Sequence, residues 1–80
     1  MFVLIEVHSD EVDQTTRMVG AYDELGTAQT VMHQLYTDAM DRNKGEHIED
    51  DLLDNMHARA WWSEGLYDFY DWNIFNTDKN

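Results

Sequence analysis

The chain reads as an α+β domain: a three-stranded antiparallel sheet covered on one face by two helices, in the order β-β-α-α-β. Three observations point there. Leu25, Ala28, Val31, Met32, Leu35, Tyr36, Ala39 and Met40 recur in steps of three and four, which lays one apolar stripe along a helix. The runs Phe2–Val7 and Met18–Tyr22 before it, and the aromatic run Leu66–Phe75 after it, are short and apolar, as strands are. A helical stripe has to be buried against something, and a small sheet is the partner on offer.

Met1–Ser9 opens the order as a strand, with Val3, Ile5 and Val7 on one face and Phe2, Leu4, Glu6 and His8 on the other. Both faces are apolar near its start, which suits an interior strand. Ser9–Thr15 is polar, acidic and without a period, so it reads as a hairpin loop leading to an antiparallel strand at about Thr16–Tyr22. Gly20 within that strand marks a bulge or a close approach by the helix. Asp23 is the expected N-cap, Glu24 complements the first turn, and the helix is expected to end at about Arg42 or Asn43, with Gly45 as its stop.

A second helix is expected over Glu46 to Ala60, because Ile48, Leu52, Leu53, Met56 and Ala60 form an apolar face at helical spacing. Winding at about 3.6 residues per turn then gathers Glu46, His47, Asp50, Asp54 and His57 into an acidic ridge on the other side. Ser63, Glu64 and Gly65 supply a turn before a last strand at about Tyr70–Asn76, expected beside the first. Most of the aromatic residues lie in this last third, at Trp61, Trp62, Tyr67, Phe69, Tyr70, Trp72 and Phe75, interleaved with Glu64, Asp68 and Asp71. A core this small cannot absorb all of them. Residues 76–80 read as a frayed tail.

Eighty residues make one domain, with little chain to spare for a deep cleft. The absence of cysteine removes disulfides, thiolate zinc sites and a thiol nucleophile, and fits a reducing cytoplasm. No segment has signal-peptide form and no apolar run is long enough to span a bilayer, so a soluble, cytoplasmic chain is expected. The charge is more informative: 17 acidic against 5 basic residues give a net charge of −12. Such a chain is repelled by nucleic-acid phosphates and anionic membranes, so neither is an expected partner; it attracts basic surfaces, which are commonest on proteins that hold nucleic acid.

Catalytic and metal-binding patterns are weak. His47, Asp50, Asp54 and His57 have the three- and four-residue spacing with which one helical face can share an ion, but there is no HExxH. The connection from Asp41 to Gly45 fails as an EF-hand loop, since Leu52 falls where the bidentate glutamate belongs. There is no glycine-rich phosphate loop and no GxSxG. A cofactor-free, non-enzymatic protein is expected, with a metal-dependent hydrolase using Asp54 as the distant alternative.

A cysteine-free, proline-free domain with an acidic helix (Glu46, Asp50, Asp51, Asp54) and an aromatic, acidic segment (Trp61 to Trp72) resembles the small inhibitors that bacteriophages and mobile elements encode against host defence, anti-CRISPR proteins and other DNA mimics among them. The resemblance is one of composition and carries no motif. It implies a stoichiometric blocker of a basic nucleic-acid-binding protein, such as a Cas-type nuclease, in the cytoplasm of a bacterial host. On that reading Glu46, Asp50, Asp51, Asp54, Asp68 and Asp71 pair with Arg and Lys of the target, and Trp62, Tyr67 and Tyr70 anchor the contact. From a different class comes a structural module that self-associates, as a homodimer, through exposed aromatics.

Overall fold

In the computed structural model, residues 1–9, 13–42, 48–62 and 68–77 are described. They form β1 (Phe2–Ser9), β2 (Gln14–Tyr22), α1 (Leu25–Arg42), β3 (Ile48–Leu53), β4 (His57–Trp62) and β5 (Asp68–Asn76). The strands make one antiparallel sheet in the order β2-β1-β5-β4-β3. β1 is interior, as its two apolar faces require, and the last strand does lie beside it. The expected three-stranded sheet with two helices is therefore corrected: a β-hairpin stands where the second helix was placed.

The reason lies in Asp54–Met56 and in the residues after it. Leu53 pairs with Ala58, the Asp54 N–H donates to the His57 carbonyl at 2.7 Å, and Asn55 and Met56 are left as the turn. Asn tolerates left-handed backbone and Asp readily accepts from nearby amides, and here the Asp54 carboxylate accepts from the Asn55 N–H at 2.7 Å. From His57 the pattern has period two: His57, Arg59 and Trp61 alternate with Ala58 and Ala60, and both alanines are fully buried. The helical spacing of Ile48, Leu52 and Met56 competes with this alternation and loses, because only the strand reading turns both alanines to α1.

The core is the contact of α1 with one face of the sheet. Leu4, Trp72, Ile74, Ala58 and Ala60 come from the strands and Ala28, Met32 and Ala39 from the helix. Small residues on both sides let the helix lie close, and Trp72, 1 % exposed, fills the centre with Tyr36 edge-on at 6.3 Å. The Glu24 carbonyl accepts the first helical hydrogen bond, from Ala28 at 3.3 Å, so the cap falls one residue later than Asp23. Gly20 does mark a bulge: the register slips between Leu4 and Ile5, and a Cβ at Gly20 would stand 2.5 Å from the Tyr22 hydroxyl. The close neighbour is thus Tyr22 and not the helix. At the other end of the chain Asn76 is part of β5, and Thr77 donates to the Met1 carbonyl through its N–H at 2.9 Å and its hydroxyl at 3.0 Å.

Candidate functional site

With one helix on one face, the opposite face of the sheet carries no layer among the described residues. Register assigns it Val3, Ile5 and Val7 of β1, Phe69, Asp71, Asn73 and Phe75 of β5, His57, Arg59 and Trp61 of β4, Met18 of β2 and, at the edge, the Asp50 and Leu52 positions of β3. At its centre Asp71 accepts hydrogen bonds from two neighbours and forms an ion pair with a third. His57 Nε2 lies 2.7 Å and Asn73 Nδ2 3.0 Å from Oδ1, and Arg59 Nε lies 3.9 Å from Oδ2. Cross-strand pairing brings them together, since Arg59 is opposite Asp71 and His57 opposite Asn73. A carboxylate so occupied is held in place rather than poised as a base. Trp61 and Phe69 pack beside it at 5.6 Å, and a shallow cleft of about 280 Å³ opens between Arg59, Trp61, Phe69 and Asp71.

The helix-covered face carries a second polar group, which the sequence did not single out. Glu6 is buried and accepts from the Trp72 indole N–H at 2.8 Å and from Arg17 Nε at 2.9 Å. Burial pushes its carboxyl pKa up, but the hydrogen bonds from Arg17 and Trp72, with the charges of Arg17 and His8, outweigh that and leave it below the usual value of 4.5. Beside it the rings of His8, Tyr70 and Trp72 stack in a row, 4.1 Å and 5.3 Å apart, and Arg42 donates to the Tyr70 hydroxyl at 3.4 Å. An apolar strand with Glu at an inward position was the available signal, because an inward carboxylate needs donors.

The residues expected to bind a partner are divided by this fold. Strand pairing brings Asp50, Asp51, Trp62 and Asp68 to one end of the sheet: Trp62 is opposite both Ile48 and Asp68, and Asp50 and Asp51 follow along the outer strand opposite Trp61 and Ala60. Asp54 stands apart in the β3–β4 turn, exposed. Tyr70 is on the helix side within the ring stack, and Asp71 is on the bare face, so these neighbours in sequence do not share a surface. Glu46 and Tyr67 lie outside the described residues, as do His47, Gly45 and the Ser63–Gly65 turn. The acidic helical ridge, and the ion site drawn on it from His47, Asp50, Asp54 and His57, disappear with the helix. Among the described residues no group of three or more His, Asp and Glu could hold a metal. No helix among them is long and apolar enough to cross a membrane.

These features define a two-layer α+β domain with one bare sheet face and an acidic outer strand. No protein-family model, curated protein or solved structure matches the chain.

Proposed function

We propose that this protein is a stoichiometric inhibitor that binds the basic, nucleic-acid-holding surface of another protein, with a bacterial defence nuclease of the kind that anti-CRISPR proteins block as the target class. The supporting observation is where the few positive charges go. Against a net charge of −12, Arg17 is paired with Glu6 and Arg59 with Asp71, so two of the three arginines are compensated within the fold, while exposed Arg42 donates to the Tyr70 hydroxyl. The field outside is left to the carboxylates, including exposed Asp23, Glu24, Asp41 and Asp54.

The outer strand gives that charge a shape. Glu49, Asp50 and Asp51 are consecutive in β3, so the outer strand of the sheet carries three acids in sequence, alternating between its two faces. Trp62 is in register with the start of this strand and Asp68 with Trp62, so on this reading the aromatic anchor comes from the same end of the sheet as the acids. A basic cleft that tracks phosphates would meet a run of acids on the sheet edge. The same acids guard the edge strand against pairing with another sheet, and the two roles are compatible.

The test is capture from bacterial lysate with the protein immobilised, nucleic acid digested, and elution by a salt gradient. A basic nucleic-acid-binding protein is expected in the salt-labile fraction, because charge-steered contacts weaken as the Debye length shortens. Recovery of no basic protein across lysates of several bacterial hosts would contradict the reading.

A further inference from the structure

The bare sheet face has a chemistry unlike the rest of the molecule. On a chain with 17 acidic residues, the described side chains of this face include one carboxylate, Asp71, already held by His57, Asn73 and Arg59. Around that neutral group stand Val3, Ile5, Val7, Trp61 and Phe69. Two of the chain's exposed large apolar residues, Met18 at 62 % and Phe75 at 53 % exposure, belong to the same face. Away from the rim, where the register puts Asp50, a basic partner finds among the described side chains no uncompensated acid to pair with.

We propose that this face is the contact between two copies of the chain, packed sheet on sheet about a two-fold axis. Charge selects the occupant. Two chains of net charge −12 repel wherever their acids meet, and this face, whose central carboxylate is paired within the chain, lets them close with the fewest carboxylates between them. The register puts Asp50 on the rim of this face, in the outer strand, and the acids flanking α1 are on the far side of each sheet. With sheets about 10 Å apart and a helix layer of about 10 Å behind each, the two helices are roughly 30 Å apart, several Debye lengths at physiological salt.

The area is sufficient. Five strands at about 4.8 Å spacing and roughly eight residues long make a footprint of about 650 Å², within the range of about 600–1,000 Å² per partner found in stable complexes. The outer edge of β3 stays at the rim of such a dimer, so the contact is independent of the acidic-edge reading.

Sedimentation equilibrium over the micromolar range tests it. The wild-type chain is expected to be a dimer, and Met18→Lys and Phe75→Lys, both at exposed positions that the monomer tolerates, are each expected to raise the dissociation constant by about 100-fold, since a buried unpaired charge is costly. Leu53→Lys, also exposed but on the helix side of the sheet, is expected to leave it unchanged. Added salt should preserve or tighten the dimer, opposite to its expected effect on a basic partner. Amide shifts of Val3, Ile5 and Val7 that move on dilution would report the same contact without any substitution. A wild-type monomer throughout, or a dimer that both lysine variants leave intact, would overturn the proposal. Neither result bears on lysate capture, so the two readings fail separately.

Discussion

Replacing Glu6 separates what holds this fold from what decorates it. The carboxylate has two kinds of partner. Arg17 is 59 % exposed in its side chain and can return to water, so losing that pair costs at most about 1 kcal/mol. The Trp72 indole is buried and cannot, so leaving its N–H without an acceptor costs about 1–3 kcal/mol. Glu6→Leu is therefore expected to destabilise by about 2–4 kcal/mol, and Glu6→Gln, whose amide oxygen still accepts from the indole, by about 1–2 kcal/mol. Arg17→Met leaves the buried Glu6 carboxylate with Trp72 as its remaining hydrogen-bond donor and should cost about 1–3 kcal/mol. Urea and thermal unfolding measure this, with about 4–8 °C of melting temperature per kcal/mol in a domain of this size.

The same residue predicts a pH dependence. Its folded pKa lies below 4.5, so as pH falls past about 4.5 the unfolded chain takes the proton first. The contribution of Glu6 is complete above that range and is lost as pH falls through the folded value. The stability difference between wild type and Glu6→Gln should be constant near neutral pH and shrink in acid. A Gln variant as stable as wild type, a difference that grows in acid, or an Arg17→Met variant worse than Glu6→Leu would refute the reasoning.

Other predictions concern packing and charge. Ala60→Leu places a large side chain under α1 where none fits, and should cost about 1–3 kcal/mol by urea unfolding with the sheet signal retained in circular dichroism. Gly20→Ala drives its Cβ into the Tyr22 ring and should cost about 1 kcal/mol, reduced in a Tyr22→Leu background; additive effects would dismiss the clash. Reversing Asp50, Asp51 and Asp54 together should slow association with a captured basic partner and reduce its salt dependence, with the circular dichroism spectrum unchanged; an unaltered association rate would remove β3 from the interface.

Legibility in the sequence followed the length and purity of each pattern. The β1 alternation and the α1 stripe each run long enough for one period to dominate, and both elements stand close to where the residues put them. β3 and β4 are six residues each, and β3 is rich in Asp, which strands disfavour. Ile48, Leu52 and Met56 then imitate a helix. What decides for the hairpin is tertiary: Ala58 and Ala60 have to face α1, and a local pattern cannot show the helix they meet. The Asp54-Asn55 dipeptide and the His57–Trp61 alternation were the signals that outweigh the false stripe.

The arrangement of the expected partner-binding residues was not legible. Strand pairing brings the backbones of Asp50, Asp51, Trp62 and Asp68 to one end of the sheet, but Asp50 and Asp51, like Tyr70 and Asp71, are strand neighbours and fall on opposite faces. The Asp71 cluster with His57, Arg59 and Asn73 depends on β4 lying beside β5, a long-range pairing without a local signature.

Competition between a partner captured by this protein and that partner's own nucleic acid tests the central claim most directly. A labelled oligonucleotide held by the partner is titrated with this protein while fluorescence anisotropy is followed. Stoichiometric displacement, weakened by added salt and by the Asp50, Asp51 and Asp54 reversals, is the predicted result. A stable ternary complex, with oligonucleotide and protein bound together, would contradict it.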